Sequence, residues 1–311
     1  MIRMSRFALP ALLALLPLQA WSQADGPRSQ VLIPTGVNIF VPTYMRLTGN
    51  YNFENSILVP GADVTSDVVV LTYMRSFAIG DRYAQVWINP LFGRIDAGGT
   101  VTNPGTGQPL NLNLDTSGLG DAIFNFKIGL VGARPLGLKD FSQQNREFQM
   151  GAFVGVTAPT GEYDSDKPLN LGTNTWAFRL GLPMVVPFGP PQSPTYLEIF
   201  PSATFYTDNN DPTLGADRRE QDALYDIQTH LTHNFTPQFW AGLDLRYRTG
   251  GETTTDGAAD GNKQEVLGGG ISAGYAFTPK LSVQATLGAI LAEDDGSEED
   301  MIRIKFAYSF F

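Results

Sequence analysis

The feature that most constrains this chain is a period of two. In "FWAGLDLRYRT", Phe239, Ala241, Leu243, Leu245 and Tyr247 share one face, and Trp240, Gly242, Asp244, Arg246 and Arg248 share the other. Successive side chains of an extended strand point to opposite sides, so this alternation is that of a strand between an apolar and a polar surrounding. The same pattern recurs near residues 37–50, 64–79, 83–97, 118–133, 146–158, 174–188, 195–207, 222–235, 238–250, 264–277, 280–292 and 301–311, while helical periodicity is nearly absent. Pro42, Pro90, Pro183, Pro187 and Pro201 fall inside these segments, where each removes a ladder donor, and are expected to mark bulges or strand ends.

The connections alternate in kind. Short turns ("GDR", "GPPQSP", "TPQ", "TPK") alternate with long polar loops near 51–63, 98–117, 159–173, 208–221, 251–263 and 293–300, the turn near 134–145 being a little longer than its class. A barrel threading a membrane sorts its connections in this way, with tight turns on one rim and long loops on the other. Segments of ten to sixteen residues also suit a tilted span better than a sandwich strand. The expected fold is therefore an all-β, transmembrane antiparallel barrel of about twelve strands, with short periplasmic turns and long extracellular loops, over 37–311.

The two ends agree with that expectation. Arg3 and Arg6 precede the apolar "FALPALLALLPLQA", and "QAWSQA" supplies small residues for cleavage after Ser22 or Ala24. Residues 1–24 are thus expected to be a secretory signal peptide. Residues 25–36, with "VLIPTG", are a candidate to fold inward as a small plug. The chain carries no cysteine, so export brings no disulfide framework. No run of eighteen apolar residues follows the signal, which excludes transmembrane helices. The formal charge of -10 becomes -12 when Arg3 and Arg6 leave, and argues against a nucleic-acid partner.

Two stretches carry a resemblance. "SGLGDAIFNFKIGL" (117–130) and "GVTAPTGEYDSDKPLNLGTNTWAFRLGL" (155–182) resemble the outer-membrane β-barrel transporter family associated with meta-pathway phenol degradation. The resemblance implies the outer membrane of a Gram-negative bacterium and uptake of small, often aromatic or hydrophobic compounds. It supplies no site residues. Without the family, "SGLGD" reads as the start of a strand after a Gly/Asn/Thr loop, and "APTGEYD" as a strand end, a turn and a loop.

Alternation places Lys127, Arg179, Glu198, Asp226, Asp244, Arg246, Arg248, Arg303 and Lys305 on inward faces. Arg or Lys facing lipid at the midplane costs about 2–4 kcal/mol, which forces inward placement whatever their role. They make either a salt-bridged, rigid interior or a lining that selects solutes, with Glu198 and Asp226 as the expected counter-ions of the arginines. The histidines of "HLTH", three apart on a strand, face opposite ways and make no metal pair. No nucleophile with a base, no metal site and no cofactor site is assigned. "EDDGSEED" (293–300) is expected to be a solvated loop, with attraction of divalent cations the other reading.

The expected function is a passive outer-membrane channel or transporter for small hydrophobic or aromatic compounds, not an enzyme. A sealed barrel with a structural or adhesive role and an outer-membrane lipid-modifying enzyme are the rivals. Expected partners are outer-membrane lipids and lipopolysaccharide, the barrel assembly machinery and the solute. The terminal "DMIRIKFAYSFF" aligns Ile302, Ile304, Phe306, Tyr308 and Phe310 on one face, which resembles the C-terminal assembly signal of outer-membrane barrels. In that register Phe311 lies one residue beyond the signal. Phe310→Ala should accordingly lower outer-membrane levels more than Phe311→Ala, as read by immunoblotting of membrane fractions.

Overall fold

The computed structural model describes residues 25–50, 62–102, 109–141, 146–190, 192–293 and 298–311. The expected signal peptide and the centre of the acidic run at 294–297 lie outside the described residues. The strands are β1 (Asn38–Gly49), β2 (Ala62–Ile79), β3 (Arg82–Asn89), β4 (Leu91–Thr102), β5 (Pro109–Leu119), β6 (Ala122–Val131), β7 (Gln149–Ala158), β8 (Ala177–Gly181) and β9 (Met184–Phe188). They continue as β10 (Thr195–Tyr206), β11 (Arg219–Gln221), β12 (Leu224–Asn234), β13 (Phe239–Gly250), β14 (Thr253–Thr255), β15 (Ala258–Ala259), β16 (Gln264–Ala276), β17 (Leu281–Glu293) and β18 (Glu299–Phe310). A short α-helix, α1 (Leu138–Phe141), sits in a turn.

All wall pairings are antiparallel, and β1 pairs with both β2 and β18, from Asn38↔Phe310 to Gly49↔Glu299. The wall is a closed barrel of twelve spans. Three spans are each built from two pieces, with breaks at Pro90 between β3 and β4, at Gly120–Asp121 between β5 and β6, and at Leu182–Pro183 between β8 and β9. Closure leaves no open sheet edge facing lipid, so the chain can end on an apolar strand. β11, β14 and β15 form a small separate sheet in the loops after β10 and β13.

The prolines divide. Pro90 and Pro183 end strand pieces, whereas Pro42, Pro187 and Pro201 sit within β1, β9 and β10. The β1–β18 register omits Val41 and Pro42. Pro201 directs its carbonyl to the Leu182 N–H at 3.1 Å, so its missing donor faces the break in the neighbouring span.

The outer face is largely apolar: Leu243, Leu245 and Tyr247 are exposed, as are Ile302, Ile304, Phe306, Tyr308 and Phe310. These side chains form the lipid-facing surface of an outer-membrane barrel. Inside, the two halves of the lumen differ. On the β1–β4 side Met45, Leu47, Val68, Leu91 and Ile95 make an apolar cluster closed by Leu169 and Leu171.

Those two leucines correct the sequence-based picture of 159–173 as a polar loop. It folds back into the barrel and is pinned at the Gly120–Asp121 break. The Asp121 carboxylate accepts from Gly161 N (2.8 Å), Thr173 N (2.9 Å) and Thr173 Oγ1 (2.6 Å). Glu162 accepts from Leu119 N at 3.1 Å. Gly161 allows the approach, because a Cβ there would lie 2.8 Å from the Gly120 carbonyl carbon and from the Gly172 Cα. "SGLGD", "PTGEYD" and "LGTNT" thus meet in one knot. "SGLGD" is not the start of a strand: its first three residues end β5, which pairs with β4 from Thr102↔Pro109 to Phe92↔Leu119. The expected loop at 98–117 is for the most part this hairpin.

Unheated protein in detergent should run faster than boiled protein on a denaturing gel. Asp121→Ala strips three donors of a buried anionic acceptor, a cost on the order of 3–5 kcal/mol. It should lower the temperature at which the fast band is lost and open 159–175 to limited proteolysis.

Candidate functional site: the barrel lumen

Residues 25–37 precede β1 and run up the inside of the barrel. At the periplasmic rim Ser76 Oγ donates to Pro34 O at 2.6 Å, and Val37 N donates to Ser76 Oγ at 3.2 Å. Higher up, the Glu198 carboxylate accepts two main-chain donors, Arg28 N at 2.6 Å and Gln30 N at 3.0 Å. The chain meets that clasp by turning at Arg28, whose φ of 66° lies in the left-handed region that non-glycine residues seldom enter. The Arg28 side chain descends between Tyr196 and Trp240, with 4.9 and 4.7 Å from guanidinium carbon to ring centroid, and its Nε reaches Thr232 Oγ1 at 3.1 Å. Burial pulls this guanidinium down to about 10, against the pull of Tyr196 and Glu198, so it stays charged at neutral pH.

The segment ends in a cluster of charges. The Asp25 carboxylate is bound by Arg179 and by Gln228 Nε2 at 3.3 Å. Its carbonyl accepts from Arg303 Nη1 at 2.9 Å and Lys305 Nζ at 3.0 Å. Asp226 pairs with Arg246 and, at 3.6 Å, with Arg179. Arg179 also lies over Phe200 and Phe153, at 4.6 and 5.5 Å from their centroids. Gly26 makes this packing feasible, since its φ is 130° and a Cβ there would come within 2.3 Å of Arg303 Nη2.

A second chain of bonds crosses five strands. His230 Nδ1 is 2.6 Å from Asp244 Oδ1, Ser272 donates to the other Asp244 oxygen and lies 2.8 Å from Thr286 Oγ1, and Arg303 Nη2 reaches Thr286 at 3.3 Å.

The nine inward candidates from the sequence therefore fall into groups. Arg179, Asp226, Arg246, Arg303 and Lys305 gather around Asp25, and Asp244 is tied to His230. Lys127 and Glu198 meet the N-terminal segment instead, Lys127 Nζ lying 3.3 Å from Gln30 O. Arg248 is buried near the extracellular end of β13. Glu198 is thus not the counter-ion of the arginines, because the segment occupies both of its oxygens.

Sequence reasoning also missed a Ser–His contact. Ser193 Oγ is 3.1 Å from His233 Nε2, but the hydroxyl donates to the Asn234 carbonyl, and Thr195 Oγ1 is 2.8 Å from the other ring nitrogen. A serine that gives its proton to a carbonyl is not activated by the histidine. Only the strand pairing Thr195↔His233 brings the two together, so no local motif announces the contact. Among the described residues no group of three or more His, Cys, Asp or Glu is placed to hold a metal ion.

The family model for a putative MetA-pathway of phenol degradation matches residues 47–306. The chain belongs to that family. Its structure is similar to the crystal structure of the COG4313 outer membrane channel from Pseudomonas putida F1, with 26% identity and a TM-score of 0.75, over 92% of this chain and 100% of that one. A Pseudomonas aeruginosa FadL homologue is similar at a TM-score of 0.48 and 9% identity, over 95% of each chain. The β domain of the Bordetella autotransporter BrkA is similar at 0.49 and 10%, over 88% of this chain and 99% of that one. No curated protein matches. This member of the family has an outer-membrane channel fold.

Burial alone would raise the Asp25 carboxyl, but the charge and hydrogen bond of Arg179 outweigh it and hold the group below its ordinary 3.8. For a depressed carboxyl, the contribution to docking is complete above the ordinary value and is lost as pH falls through the lowered one. Acidification from pH 7 to 5 should leave the Asp25 anchor intact. Asp25→Asn, which removes the ion pair at every pH, should increase the baseline current of single channels at pH 7.

Proposed function

We propose that this protein is a passive outer-membrane channel for small hydrophobic or aromatic compounds, held closed at rest by residues 25–37 and the inward loop 159–175. The observation that carries this reading is the manner of filling. The lumen is occupied by a segment of the chain itself, held by hydrogen bonds and ion pairs and not by a place in the sheet, so it can leave without opening the wall. The match to a phenol-degradation family and the likeness to a channel from Pseudomonas putida support the solute class and the passive mode. The apolar cluster of Met45, Leu47, Val68, Leu91 and Ile95 offers an apolar solute a wall that the charged side does not. The outward aromatic face of β18 suits recognition by the barrel assembly machinery, and the long loops face lipopolysaccharide.

The dense ion pairing favours a second reading, a rigid sealed barrel. Proteoliposomes with parent protein and with a variant lacking residues 25–36 behind its signal separate the two. On the channel reading the variant admits toluene-sized and phenol-sized solutes faster than the parent, and its conductance rises several-fold. Equal, background rates for both would support the sealed barrel. Release of fatty acid from the liposome phospholipid would point to the enzyme instead.

A further inference from the structure

Above the tip of the N-terminal segment lies a cavity of about 110 Å³, extending from Asp25 and Gly26 toward Arg248 and Glu299 near the extracellular ends of β13 and β18. Its side on β16 and β17 is bare, because the inward positions there are Gly268, Gly270 and Gly288, and Val266, Ile290 and Met301 complete an apolar patch. On the other side stands Arg303, which is 7% exposed. Its two terminal nitrogens donate to uncharged oxygens, the Asp25 carbonyl and the Thr286 hydroxyl. Its Nε has no hydrogen-bond partner, and it makes no ion pair among the described residues.

Of the carboxylates around the cavity, Glu299 lies at its far end beside Arg248, and the others are engaged elsewhere. Asp25 binds Arg179 and Gln228, Asp226 binds Arg179 and Arg246, and Asp244 binds His230 and Ser272. A buried guanidinium with no anion in contact is costly, and an anion in the adjoining cavity offsets that cost through its charge. Guanidinium also suits carboxylate geometrically, since its planar donors match two oxygens.

We propose that this cavity is a binding site for an amphipathic monoanion, with the carboxylate on Arg303 and the apolar body against the Gly268, Gly270 and Gly288 wall. The site accommodates a single ring at most, because a cavity of about 150 Å³ is the size that takes up benzene. This rests on the channel reading above and narrows it: the solute favoured in the vestibule is an aromatic or short-chain acid, not its neutral counterpart.

The test compares benzoate with phenol on full-length protein in a non-ionic detergent, by isothermal titration. Two variants act on opposite sides of the site. Arg303→Gln removes the charge. Gly268→Val fills the apolar side from a position where a Cβ meets nothing closer than 3.6 Å, so the wall accepts it. Both variants are first checked for the fast-running unheated band.

The parent should bind the acid at least ten times more tightly than the phenol. Arg303→Gln should weaken the acid at least tenfold and leave the phenol within about twofold, and Gly268→Val should weaken both. Equal binding of acid and phenol by the parent would overturn the proposal, as would an acid preference that survives Arg303→Gln, or acid binding unaffected by Gly268→Val. The same pair run as proteoliposome influx keeps the two readings apart. Influx of the phenol without any acid binding sinks the site and leaves the channel standing. Acid binding that needs Arg303, with no influx of either compound, sinks the channel and leaves the site.

Discussion

In hydrocarbon every backbone N–H and C=O must find its partner inside the protein, and the rest of this structure depends on that constraint. It forces the β1–β18 ladder, and closure then fixes which side chains face lipid and which face inward. A basic side chain on the lipid face at midplane costs about 2–4 kcal/mol, so most wall charges go to the lumen, and the outward Arg46 and Arg94 are each paired with a carboxylate, Asp67 and Asp96. The breaks at Pro90, Gly120–Asp121 and Pro183 are tolerated because other groups supply the missing bonds. At Gly120–Asp121 the folded-back loop provides them through Thr160, which accepts from Ala122 N, and Glu162, which meets both the N–H and the carbonyl of Leu119. At Pro183 they come from Gly151 and Pro201.

Placing the charges inside creates a second problem, since a buried ion needs a partner as much as a buried amide does. The lumen meets it unevenly. The wall alone supplies Asp226 for Arg246 and Arg179 and Asp244 for His230, while Glu198 takes its main-chain hydrogen bonds from the N-terminal segment. Segment and wall are therefore complementary: Asp25 offers a carboxylate where the wall has an excess of cations, and the main chain at Arg28 and Gln30 offers donors where the wall has an anion.

What the sequence discloses follows from the range of each interaction. Period two is local, so the twelve spans and the outward face of β18 can be read from residues such as Leu243, Leu245 and Tyr247. Breaks are half legible. Pro90 and Pro183 announce themselves, but Pro42, Pro187 and Pro201 look the same in sequence and stay within strands because the ladder around each can spare a donor. The knot at Asp121 is illegible, because its partners lie 40 and 52 residues away. "SGLGD" therefore looked like the start of a strand when it is the seam of one. Glu198 was misassigned for a related reason: an inward carboxylate among inward arginines suggests an ion pair, whereas main-chain donors leave no mark in a one-letter sequence.

The manner of holding the segment bears on how it can move. Glu198 binds backbone N–H groups, which any residues other than proline at 28 and 30 would supply, so the clasp specifies a chain path more than a sequence. Specificity enters at Gly26, where any side chain would strike Arg303, and at Arg28, which turns the chain and fills the space between Tyr196 and Trp240. All of these contacts are polar or cation–π, and each has water as an alternative partner once the segment is withdrawn. Apolar burial along the segment is confined to residues such as Leu32 and Val37, near the point where it joins β1. If the segment is the proposed stopper, its directional bonds at the tip and its packing at the base mean that release begins at the Asp25 end while the Val37 end remains fixed to the rim.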